Sequence, residues 1–160
     1  DVMACLITFK HRLVKNGFLP VANIPQIFLG YPPNMHSTLL ALLAKFDVVF
    51  PMENQNEKSI LVPSLLPKDK TQAGGISWPT ILPRGELEQG RVYNFRFFPL
   101  GFFSRLMVRV LHIPGIHAHT LWMNGLVASL GEQRVLVEYD EKTFSLSIAI
   151  RMPSNTDLRG

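Results

Sequence analysis

The sequence predicts an α+β protein in two lobes: a winged-helix-like helical first half, then a second half of one strand, one helix and an antiparallel β-meander. Three observations carry this expectation. Apolar residues recur at helical spacing in two early segments. A proline- and glycine-rich stretch without periodicity separates the halves. Near the end, Phe144, Leu146, Ile148 and Ile150 alternate with Ser145, Ser147, Ala149 and Arg151, the period of a strand with one buried face.

Taken in order, Val2, Met3, Leu6, Phe9 and Leu13 form one helical face, and Asn16-Gly17 supplies a C-terminal stop. After a segment led by Asn23, the pair Pro32-Pro33 blocks continuation. Met35, Leu39, Leu42, Leu43 and Phe46 then predict a second amphipathic helix ending at Lys45. Val48-Val49-Phe50 and Ile60-Leu61-Val62 flank a polar stretch and read as a hairpin. The first lobe is thus expected over residues 1–66, and residues 67–90, with Pro67, Gly74-Gly75, Pro79, Pro83 and Gly85, as a linker. Within that linker Trp78 is expected to pin the connection against a lobe.

The second lobe is expected over residues 91–160. Tyr93, Phe95 and Phe97 alternate with Val92, Asn94 and Arg96, an aromatic ladder expected to pack inward. Phe102, Phe103, Leu106, Met107, Val110 and Leu111 share one helix face, with Arg105 and Arg109 on its basic back. Strands are expected over Leu121 to Leu130, Arg134 to Tyr139 and Phe144 to Arg151. Each lobe is small enough to need packing partners. Leu106 or Ile148 replaced by Ala is expected to cost about 2–5 kcal/mol if fully buried.

Of the 160 residues 47% are hydrophobic, so a globular, cored product is expected rather than disorder. The single cysteine, Cys5, precludes an internal disulfide and fits a cytoplasmic location. No run is long enough for a membrane span, and the opening lacks a secretion signal. The chain starts in mid-pattern and reads as a piece of a larger protein. Its net charge of +4 is scattered rather than clustered, which fits a solvated surface.

Catalytic chemistry finds little support. Gly74-Gly75 is followed by Ile76-Ser77-Trp78, not by the Lys-Ser or Lys-Thr of a phosphate loop. Ser104 is not in a nucleophile elbow, and Glu138, Asp140 and Glu141 sit at a strand end and turn. His112, His117 and His119 cluster beside Pro114-Gly115, but without another ligand group at fixed spacing they read as a solvent-exposed loop, and no metal site is assigned. Nucleic-acid binding is the alternative function raised by the winged-helix pattern. The helix from His36 to Lys45 has no Arg, Asn or Gln to read base edges, which disfavours it.

Three motifs occur in the order of a known family. They are Leu43-Ala44-Lys45-Phe46-Asp47-Val48-Val49-Phe50-Pro51, then Leu61-Val62-Pro63-Ser64-Leu65-Leu66-Pro67, then Arg91-Val92-Tyr93 with Phe98-Pro99-Leu100-Gly101-Phe102-Phe103-Ser104-Arg105-Leu106. The chain resembles, over about residues 1–152, the COR domain of Roco proteins, which include the leucine-rich repeat kinases. The resemblance implies a non-catalytic module that follows a Roc GTPase domain, packs on it, dimerises through another COR domain and, in some members, signals to a kinase domain. It implies no cofactor in this segment; GTP and Mg²⁺ would belong to the Roc domain. Tyr93 matches the tyrosine of the family's first second-half strand, near the surface that meets Roc. The candidate Roc-facing residues are therefore Met3, Leu6, Tyr93 and Phe95, and the face bearing Arg134, Leu136 and Glu138 is the candidate for self-association.

Overall fold

The computed structural model describes residues 17–54, 57–76, 78–98 and 101–154, and the chain divides into two compact units, Asp1–Leu66 and Pro67–Gly160. In the first unit, strand β1 (Phe18–Pro20) leads into a 3₁₀ turn, helix α1 (Ile24–Ile27), a second 3₁₀ turn at Pro33–Met35, helix α2 (His36–Lys45), and the hairpin β2 (Phe50–Asn54) and β3 (Glu57–Leu61). The strands form an antiparallel sheet in the order β1-β3-β2. Leu19, Ile24, Ile27, Phe28, Leu43, Val49, Ile60 and Val62 make its core.

This overturns the helical, winged-helix-like first lobe. Among the described residues only α2 exceeds a single turn of α-helix in this unit, and the core is assembled on a three-stranded sheet. The physical cause lies in Phe18-Leu19-Pro20, which pairs with Leu61, Ile60 and Ser59. Three residues are too few to show a strand period in sequence. The helix expected from Val2 to Leu13, and Cys5 within it, lie outside the described residues. Helix α2 ends in a Schellman arrangement: Val48 N–H donates to the Leu43 carbonyl, Asp47 N–H donates to that of Ala44, and Asp47 takes φ 56°.

The second unit holds β4 (Glu86–Asn94), α3 (Phe102–Leu111), β5 (Ile116–Trp122), β6 (Gly125–Leu130), β7 (Gln133–Asp140) and β8 (Ser145–Pro153). They form one five-stranded antiparallel sheet in the order β4-β8-β7-β6-β5. Alternation separates two faces. One carries Leu126, Val137, Ile148, Tyr139 and Leu146, and α3 packs over its β5–β6 end, burying Phe103 and Met107. The other carries Trp122, Val127, Leu136 and Ala149, and receives Ala73, Ile76 and Trp78 from the segment before β4.

Four expectations change here. The stretch 67–90, expected as a linker pinned by Trp78, belongs to the second unit: Trp78 packs on its sheet as expected, and the chain runs into β4 at Glu86. Leu121 to Leu130 is not one strand but a hairpin that turns at Met123-Asn124, with Trp122 opposite Gly125. Phe144 does not join the inward face of β8; it sits in the preceding turn at φ 51°. The aromatic ladder is not buried: Tyr93, Phe95 and Phe97 are 38%, 47% and 76% exposed, because β4 is an edge strand at the end of the sheet away from α3. A period of two gives the face of a strand but not whether anything covers it.

Candidate functional site

On the α3 side of the sheet, residues of one parity on β4 project together: Leu87, Gln89, Arg91 and Tyr93, with Ile150, Ile148 and Leu146 opposite the last three on β8. Tyr93 shares a row with Leu146 and Tyr139. Phe95 is fixed just beyond the strand by its N–H donating to the Phe144 carbonyl at 3.1 Å. Its ring meets Phe98 at 4.7 Å, and Phe98 meets Phe102 at 4.5 Å and Tyr139 at 4.9 Å. Tyr139 in turn stacks on Phe103 at 6.1 Å. The aromatic chain therefore runs from an exposed edge into the buried face of α3, with Phe95 at its open end and the exposed Tyr93 beside it on β4. Such a strip is rigid, apolar and accessible, the makings of a docking surface.

The opposite face is covered over its Trp122, Val127 and Arg151 part and open beside Val92. Arg151 is only 3% exposed; its guanidinium donates to Glu88 and to the Pro79 carbonyl and lies 4.3 Å from the centre of the Trp78 ring. Its Nη1 is buried with no hydrogen-bond partner among the described residues. Arg134 donates to both Glu86 oxygens at 3.1 and 3.3 Å, and Lys70 pairs with Glu138 at 3.3 Å. The start of the covering segment is braced by Asp69, which accepts from the Thr71 hydroxyl and the Gln72 N–H. Those bonds, the Thr71 hydroxyl first, hold the Asp69 carboxyl below its ordinary range. Beside this segment lies a cleft of about 470 Å³ whose walls mix Lys68, Lys70 and Lys142 with Asp69, Glu138 and Asp140.

The expected site residues are placed as follows. Tyr93 and Phe95 are brought together on the open strip, while Met3 and Leu6 lie outside the described residues. Arg134, Leu136 and Glu138 do share a face, but Leu136 is buried in the cluster with Trp122 and Val127 and both charges are paired, so this is not an open surface. Arg105 and Arg109 lie on the exposed back of α3. His117 and His119 fall on β5 rather than in a loop, whereas His112 caps α3, with Nδ1 2.7 Å from the Val108 carbonyl. Arg151 went unsignalled in the sequence, since its place in the alternation marks it only as outward-facing.

No group of three or more His, Cys, Asp or Glu among the described residues is arranged to hold a metal ion, and no described helix is long and apolar enough to cross a membrane. Comparison with known families is decisive for the second unit: the model described as "C-terminal of Roc, COR-B domain" matches residues 87–159, from β4 through β8. The chain carries a COR-B domain and belongs to the COR segments of Roco proteins. Similar proteins from Dictyostelium discoideum extend the match into the first unit. The probable serine/threonine-protein kinase pats1 is 33% identical over 168 residues, covering 97% of this chain and 5% of that protein. The probable serine/threonine-protein kinases roco11 and qkgA are 40% and 36% identical over 141 and 139 residues, each covering 81% of this chain. The chain spans 9% of the length of either.

Proposed function

We propose that this COR segment is a non-catalytic regulatory module that packs on an adjacent Roc GTPase domain, self-associates, and couples the nucleotide state of Roc to dimerisation or to a downstream kinase in the cytoplasm. The observation that carries this reading is the open aromatic strip of COR-B, where Phe95 continues a buried aromatic chain to the surface beside the exposed Tyr93. Half-exposed aromatics backed by a rigid sheet lose little entropy when a partner covers them. GTP and Mg²⁺ belong to Roc in this scheme. Because Leu136 is buried, the face of Arg134 and Glu138 contributes to self-association only at its rim.

The test is the molar mass by light scattering on a sizing column, over a wide concentration range, with and without the parent protein's Roc domain. A stable complex with Roc and a mass that rises with concentration are expected. A monomer at every concentration that ignores Roc would overturn the reading.

A further inference from the structure

His117 and His119 lie two residues apart on β5, which among the described residues is an edge strand paired only with β6. Their rings are in contact, so both side chains lie to the same side of the strand. The pairing runs His117 with Ser129, Ala118 with Ala128, then Thr120 with Val127, so His119 is the extra residue of a β-bulge. A bulge bends and twists its strand and re-aims the side chain it carries. The two imidazoles sit 5.0 Å apart between ring centres at 79°, and both are exposed.

That separation has a chemical meaning. An imidazole nitrogen binds a first-row divalent ion at about 2.0–2.1 Å, which puts the ring centre about 3.2 Å from the metal. Two rings on one ion are then about 4.5 Å apart at a right angle and about 5.2 Å apart at the tetrahedral angle. The observed 5.0 Å falls between the two. We propose that His117 and His119 form a two-imidazole surface site for a divalent transition ion, with Cu²⁺ preferred over Ni²⁺ and Zn²⁺ and water completing the coordination.

The surroundings supply what such a pair needs. His119 Nε2 lies 2.9 Å from Ser129 Oγ. With Nε2–H donating to that hydroxyl, the ring is held and Nδ1 presents its lone pair, the usual division of labour in a metal-bound histidine. Arg134, opposite Ser129 on β7, is the cation facing the pair, and its charge is countered by Glu86 at 3.1 Å. No third ligand of the His, Cys, Asp or Glu type joins the pair among the described residues. Open coordination by nitrogen and water suits tetragonal Cu²⁺, the strongest binder of its row.

The experiment is calorimetric titration of the chain with Cu²⁺ buffered by glycine at pH 7.5, followed by electron paramagnetic resonance of the loaded protein. One ion per chain with nitrogen hyperfine structure is expected. His117→Gln and His119→Gln should each weaken binding at least tenfold without moving the melting temperature, while His112→Gln leaves it unchanged. Ni²⁺ and Zn²⁺ should bind more weakly and Mg²⁺ not at all. Binding that survives the double substitution, or that does not saturate below millimolar Cu²⁺, would overturn the assignment.

Discussion

Gly125 lies beneath the indole of Trp122: a methyl group on its Cα would stand 2.0 Å from the ring. Trp122 is buried with Val127 and Leu136, so the ring cannot step aside without opening that cluster. Gly125→Ala is therefore expected to cost about 1–3 kcal/mol, as overpacked cores do, and to lower the urea midpoint at unchanged slope. An unmoved midpoint would show that the indole yields freely. His119 gives a pH signature of known sign. Its folded pKa lies below the usual histidine value, through burial first and then the charges of His117 and Arg134. The unfolded chain thus binds the proton more readily, so stability is full above about pH 6.5 and falls as pH drops through that value towards the folded pKa. His119→Gln should flatten this part of the stability profile, and an identical acid limb in the variant would contradict the assignment.

At the scale of elements, the segment before β4 is held to the sheet by a buried cation. Removing Glu88, which is 33% exposed on its side chain, leaves the Arg151 guanidinium buried without its counter-charge, whereas Arg151→Met removes the charge itself. Glu88→Ala is expected to cost about 2–4 kcal/mol, at the lower end of what breaking a buried pair does, and Arg151→Met to cost less. Denaturant midpoints in the reverse order would refute this clamp. In α3, Phe103 and Met107 are buried while Leu106 is half-buried, as is Ile148 on β8. Met107→Ala should accordingly cost about 2–5 kcal/mol and Leu106→Ala or Ile148→Ala less, by the same titration.

These elements also show what was legible in the sequence. The helical spacing from Phe102 to Leu111 and the stop after Lys45 gave α3 and the end of α2, because long periodic segments carry their own signal. The alternation in β8 separated Leu146, Ile148 and Ile150 from Ser147, Ala149 and Arg151 correctly. The hairpin turn at Met123-Asn124 was signalled only by Asn124-Gly125, which sits one residue out of step, since Gly125 already pairs with Trp122. For residues 67–85 the pinning role of Trp78 was legible, but not its partners Arg151 and the Trp122 cluster, which are far away in sequence. The burial of Leu136 and the exposure of Tyr93 follow from that same covering segment and from the position of β4 at the sheet edge. Neither is a property of local pattern.

At the scale of the whole molecule, the COR-B sheet is covered over much of one face by its own preceding segment and carries an open aromatic strip on the other. Family membership says that such a domain lies C-terminal to Roc, and in the proposed function the strip is where Roc is received. Tyr93 and Phe95 are exposed enough that Tyr93→Ser with Phe95→Ser should leave the fold intact. The most direct measurement is the affinity of that double variant for the parent protein's Roc domain, by calorimetry, beside the unsubstituted chain. The account predicts at least a tenfold loss, about 1.4 kcal/mol, with a melting temperature within a few degrees of the original. Equal affinity in the two proteins would contradict it.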